Sequence, residues 1–277
     1  MRMWAVCKRE FAAFFLTPVG YVVLAIYALI TGFGFSANFL MYVEISQSPA
    51  QYAYASVPDF EEYFLSPFLV FCGLLIMFLA PLITMRLLAE ERHRGTIELL
   101  LTQPLRDRDI IFGKFLACVG MILVMMSIVA VDLAVVAWFV RVEWPVLIYG
   151  LLTVLLIGAS FMALGLFVSA IAPNQIISAA LSFGLSMLLY IVGNMGGKLN
   201  ARELLPETWP AALRMPLETA LGALRRLVQE LAIDAHANDM AQGIFRPQDV
   251  AYYLLFTAFF LFLCFRALES RSWRARG

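Results

Sequence analysis

Few side chains in this 277-residue sequence could carry out chemistry. Asp132 is the single ionisable residue deep inside an apolar run, where a carboxyl is costly and therefore a candidate functional group. A hydrogen bond to serine or backbone in a packed bundle would also account for it. The histidines are His93 and His236, and the four cysteines are Cys7, Cys72, Cys118 and Cys264. The cysteines fall within or beside apolar runs without paired or metal-ligand spacing, which reads as packing. A phosphate-binding G-x-x-x-x-G-K-S/T run is absent, so the chain cannot by itself be an ATPase. No catalytic, metal or cofactor-binding residue is expected.

The elements that must position these residues are membrane spans. The chain is 62% hydrophobic and 14% charged, outside the usual range of a soluble domain, and reads as one all-α polytopic membrane domain over 1–277. Six apolar runs approach or exceed the ~20 residues that cross a bilayer: 19–42, 66–88, 110–140, 146–171, 176–192 and 250–268. Before them, residues 1–17 pattern as an interfacial helix, with Trp4, Cys7, Phe11, Phe14 and Phe15 on one face and Arg9 opposite. Pro81 predicts a kink in span two. In span four Gly158, Ala159, Ser160, Ala163, Gly165 and Ser169 would let helices approach closely, and Asn174 is placed to cap span five. Ser178, Ser182 and Ser186 repeat at i, i+4, i+8 on span five; the stripe fits simple helix packing or a contact with a second subunit or a substrate path.

The outer segment 193–249 opens with G-N-M-G-G and is broken by Pro206, Pro210 and Pro216. Within it, Leu213 to Leu231 is amphipathic, with Leu217, Leu221 and Leu224 beside Arg225 and Arg226. That pattern predicts a helix lying at the outer interface, a candidate gate with flexible points at Gly196, Gly197 and Gly222. With both termini inside, the cytoplasmic segments hold 13 Lys and Arg against 7 Asp and Glu, and the outer segments 7 against 12. This is the positive-inside pattern. It places His93 and His236 on opposite faces, which excludes a zinc or bis-histidine haem site built from the pair.

The apolar pattern has one sharply charged interruption between spans, Arg86 to Lys114, which carries six of the twenty Lys and Arg residues. Gly95 allows a turn, Thr96 can cap the next turn, Ile97 to Thr102 are mostly apolar, and Pro104 stops the helix. Ile97, Leu99, Leu100 and Leu101 would enter the headgroup layer or a groove on another protein, and Glu98 among them favours a protein able to supply a cation.

The run E-E-R-x-x-G-T-I-E-L-L-L-T-x-P, followed by Gly113-Lys114, resembles the coupling segment of ABC-2 type transporter permeases. In that family a short helix docks on a separate ATP-binding subunit. The matching positions are Glu91, Gly95, Thr96, Glu98, Leu100, Pro104, Gly113 and Lys114, with Ile97 and Leu101 completing the docking face. The stretch A-H-A-N-D-M-A-Q-G-I-F-R-P-Q-D-V-A-Y-Y-L is similar to the C-terminal part of the gliding-motility-associated branch, with His236, Gly243, Asp249, Val250, Tyr252 and Tyr253 as matching positions. Ala237 and Phe245-Arg246-Pro247 depart from its pattern.

The resemblance implies a permease subunit, mostly of exporters, in the bacterial inner membrane with both termini cytoplasmic. Its partners would be two ATP-binding subunits that hold ATP and magnesium, a second permease copy identical or related, membrane lipid and an auxiliary envelope protein, with no nucleic acid. The coupling helix would be 96–103. The alternative is an anchor that recruits cytoplasmic or envelope proteins without transporting anything.

Overall fold

The computed structural model describes residues 2–47, 59–93, 107–140, 142–198, 219, 221–223, 233 and 235–274. Among these no strand occurs. Apolar runs of this length have no water to satisfy their backbone, so they close their hydrogen bonds internally as helices. Nine α-helices follow: α1 Arg2–Leu16, α2 Pro18–Gln47, α3 Ser66–Thr84, α4 Ala89–His93, α5 Asp107–Phe139, α6 Trp144–Ile171, α7 Gln175–Lys198, α8 Ala235–Ala241 and α9 Pro247–Arg274. A π-helical turn, Glu61–Leu65, leads into α3. Six stretches are long and apolar enough to cross a membrane: Pro18–Gln47, Glu61–Glu91, Asp107–Phe139, Trp144–Ile171, Gln175–Gly193 and Pro247–Ser270.

The middle of the bundle is the pair α3 and α6. In their most apolar windows 61% and 72% of residues are buried, against 17% in α9, so these two helices form the core and the others wrap it. Close approach depends on the small residues of α6. A β-carbon at Gly165 would collide with Thr84 Oγ1 on α3. Ser160 Oγ donates to Tyr253 O at 3.3 Å and lies 3.2 Å from Thr257 Oγ1, fastening α6 to α9. The four cysteines are buried and unpaired. The C-terminal half of α2 is locked by aromatic edges, with Phe35 5.4 Å from Phe64 and 5.5 Å from Phe68, ring separations at which T-shaped pairs are favourable.

Three sequence expectations change. Span two is not one continuous helix to residue 88: α3 ends at Thr84, three residues past Pro81, and the chain turns through 85–88 before α4. Pro81 lies inside α3, and the break falls where Ser169 from α6 offers the backbone an alternative partner. Span five runs on through the G-N-M-G-G expected to open the polar segment, and α7 ends at Lys198. On α1, Cys7 and Phe14 are buried and Phe11 and Phe15 half-buried on the expected face, while Trp4 of that face is 65% exposed. An exposed tryptophan at a membrane boundary can keep its polar edge in the headgroup layer.

Candidate functional site

Charged residues from α1 and α4 converge on one amine of α5. Lys114 sits two turns into α5, and its side chain is 1% exposed. Its Nζ donates to Leu87 O at 2.6 Å, to Glu91 Oε1 at 2.9 Å and to Glu10 Oε1 at 3.1 Å. Three acceptors satisfy the three donors of an ammonium group. Arg9 closes the cluster, its Nη2 2.7 Å from Glu10 Oε1 and 3.5 Å from Glu91 Oε1. Two cations and two carboxylates leave no net charge, which makes burial tolerable. Burial pushes the Glu10 carboxyl up, but Lys114 and Arg9 outweigh it and hold the group below its ordinary value.

The cluster joins three elements that are distant in sequence: α1 through Arg9 and Glu10, α4 through Glu91, and α5 through Lys114. Gly113 makes the α1 contact possible. A β-carbon there would lie 2.8 Å from Val6 Cβ and 3.0 Å from Met3 O, so a larger residue would push α1 off α5. Beside the cluster is a cavity of about 400 Å³ lined by Glu10, Phe14, Arg86, Glu90, Glu91 and Lys114 among others. The Arg86 guanidinium lies over the Phe14 ring at 5.5 Å, a cation–π distance.

A second fastening holds the break at 85–88. Ser169 Oγ accepts from Leu88 N and Ala89 N, each at 3.1 Å, and donates to Met85 O at 3.2 Å. One hydroxyl proton and two lone pairs are thereby all used. The turn that opens the loop is thus pinned to α6 by Ser169 and to α5 by Lys114.

Of the residues singled out by sequence, the structure brings Glu91, Gly113 and Lys114 together. Lys114 is fully buried within the bundle, with Glu10 and Glu91 supplying the compensating charge. Arg9, expected on the side of α1 away from the bundle, reaches both carboxylates. Gly95, Thr96, Ile97, Glu98, Leu100, Leu101 and Pro104 lie outside the described residues, as do Leu217, Leu224, Arg225 and Arg226. Leu221 is half-buried in a short helical stretch at 221–223.

Ser178, Ser182 and Ser186 are buried within the chain's own bundle, where α7 packs on α3 and α6. Asn174 Oδ1 accepts from Ile177 N at 2.9 Å, capping α7 as its position suggested. Asp132 Oδ2 is buried with no hydrogen-bond partner among the described residues, so the serine or backbone partner expected for it is not found at that oxygen.

At the opposite end α8 packs on α6 and α3 and is tied to α9 by polar contacts. His236 Nδ1 is 2.7 Å from Asp249 Oδ1, and the imidazole stacks on Tyr252 with ring centres 4.3 Å apart. Tyr253 OH donates to Ile233 O at 2.6 Å, and Arg246 pairs with Asp239. Glu61 Oε1 accepts from Glu143 N at 2.6 Å, joining the π-helical turn to the start of α6.

Sequence reading missed Glu10 and Ser169 as partners. Glu10 is the lone acid in α1, next to Arg9, and that isolation was the available signal. Ser169 stood among the small residues of span four, where nothing marks a hydroxyl as a backbone partner.

Fold and site together define a multi-pass membrane protein in which the charged turn after α3 is pinned to α5 and α6 by buried polar contacts. The family model of the ABC-2 family transporter protein matches residues 4–273, and the chain belongs to that family. Its members are membrane permease components. A search of curated proteins finds no match.

Proposed function

We propose that the chain is the permease subunit of an exporter driven by a separate ATP-binding subunit through the 96–103 helix. The observation that carries this reading is the brace on the turn before that segment, which Ser169 of α6 holds at Met85, Leu88 and Ala89 and Lys114 of α5 holds at Leu87 and Glu91. A helix that hung from a loose loop would move without moving the spans. Here the turn before it is fixed to α5 and α6, so displacement of the loop must displace those helices or break buried polar contacts. ATP-bound and ATP-free partners would hold the loop at different positions, and the bundle would follow the state the nucleotide favours.

Two ATP-binding subunits, each holding ATP and magnesium, and a second permease copy, identical or related, complete the complex. The positive-inside charge pattern supports an inner-membrane protein with cytoplasmic termini and the loop on the same side. The C-terminal resemblance supports the gliding-motility-associated branch, and the contact between its matched His236 and Asp249 gives those two positions a shared structural task. The outer segment is read as a cover over the mouth of the path.

The test is purification of the complex with its ATP-binding subunit and measurement of hydrolysis after reconstitution. Leu100→Asp places an unpaired charge in the docking face. It should lose most of the bound ATPase while the chain still inserts. Normal ATPase binding by that variant would overturn the reading.

A further inference from the structure

We infer that the groove between α5 and α9 at the loop end is a binding site for an anionic glycerophospholipid, one acyl chain lying in the groove and the headgroup on Arg108. The groove has a volume of about 310 Å³. One wall is Ala258, Leu261, Phe262 and Phe265, spaced i, i+3, i+4, i+7 along a single face of α9. The other is Ile111 and Phe112 of α5, with Arg108 one turn earlier on the Phe112 face. Every lining residue except Arg108 is apolar.

Size and charge together select the occupant. From Ala258 to Phe265 the wall is about 10 Å long, within the ~15 Å of one hydrocarbon leaflet. Over that length the groove has room for an extended hydrocarbon chain. Phe112 and Phe262 stay 45% and 53% exposed, so none of the described residues closes it.

At the loop end of the groove Arg108 is exposed, with no ion-pair or hydrogen-bond partner among the described residues. Asp107 and Asp109 are its neighbours in sequence, but each is turned about 100° away around the helix. Arg266, whose guanidinium lies 5.4 Å over the Phe262 ring and which bonds Glu269 at 2.8 Å, stands beside the same wall. A cation at headgroup depth above an apolar slot is the chemistry that distinguishes a phosphatidylglycerol-like lipid from a neutral one. The site lies apart from the Lys114 cluster, and the inference does not need the coupling reading.

The experiment uses the purified full chain, stripped of lipid in detergent and then given phosphatidylglycerol or phosphatidylcholine with the same oleoyl chains, with bound lipid counted by native mass spectrometry. Phosphatidylglycerol should be retained about tenfold better. Arg108→Gln should lower its retention to the phosphatidylcholine level, Arg108→Lys should keep most of it, and Ala258→Phe, which fills the slot, should reduce both lipids. Unchanged thermal melting and elution volume certify the fold of each variant. A photoactivatable acyl chain on phosphatidylglycerol should mark residues 108–112 and 258–265. Equal retention of the two lipids, retention unaffected by Arg108→Gln, or marking elsewhere would overturn the proposal. So would a lipid-free dimer that Ala258→Phe splits, since the groove would then belong to a second copy.

Discussion

The two ends of the bundle each hold a short non-spanning helix against the spans, and they do it with different chemistry. At the loop end α1 is held by Lys114, an amine with 1% exposure whose partners are two carboxylates and a carbonyl. At the far end α8 is held by the His236 contact with Asp249 and by the Tyr253 hydroxyl on Ile233 O. Removing a fixed charge from a buried neutral cluster strands its counter-charges, whereas a tyrosine hydroxyl forfeits about one hydrogen bond. The loop end is therefore held by a charge-balanced cluster, and the far end in part by a neutral hydroxyl.

The comparison breaks most severely at Lys114. Lys114→Met should destabilise the chain by about 3–5 kcal/mol, because Glu10 and Glu91 are left facing each other without their main cation. The triple variant Lys114→Met, Glu10→Gln, Glu91→Gln should recover much of that loss in thermal melts. A triple variant as unstable as the single one would mean that packing, not charge balance, holds the junction.

Ser169→Ala comes next. Two backbone amides and one carbonyl lose their partner, a cost of about 1–3 kcal/mol, and hydrogen exchange at Leu88 and Ala89 should quicken while exchange in the middle of α6 does not. At the far end, Tyr253→Phe should cost about 1 kcal/mol, the smallest change of the three substitutions, and should free α8 without disturbing α1.

The mildest perturbation is acid. The Glu10 carboxyl is held below its ordinary value in the folded chain, so its contribution is complete above the unfolded value and fades as pH falls through the depressed folded one. Melting temperature followed from neutral pH downward should show an acid limb below about pH 4.5 that Glu10→Gln flattens.

Much of this was legible in the chain itself. Six apolar runs and the basic interruption at 86–114 determine the fold class, because a bilayer admits few alternatives for such runs. The pairing of Glu91 with Lys114 was half visible, since both stood out by motif, yet no pattern says that residues 23 positions apart will meet across a turn. Glu10 and Ser169 were not legible as partners. Their role depends on α1 lying against α5 at Gly113 and on α3 ending at Thr84, and each is a tertiary outcome that local periodicity does not encode. The serine stripe of α7 shows the same limit: its spacing marks a face, but whether that face turns inward or outward is decided by the neighbours α3 and α6.

On the proposed coupling, the pinned turn at 85–88, α4 and the start of α5 carry nucleotide state into the spans. The most direct measurement is hydrogen exchange of residues 85–93 and the first turns of α5 in the assembled complex, with its ATP-binding subunit in the ATP-bound and nucleotide-free states. Protection in both stretches should change together on ATP binding, and in Ser169→Ala the change at 85–93 should separate from that in α5. An intact complex that binds ATP while exchange in both stretches stays the same would contradict the claim.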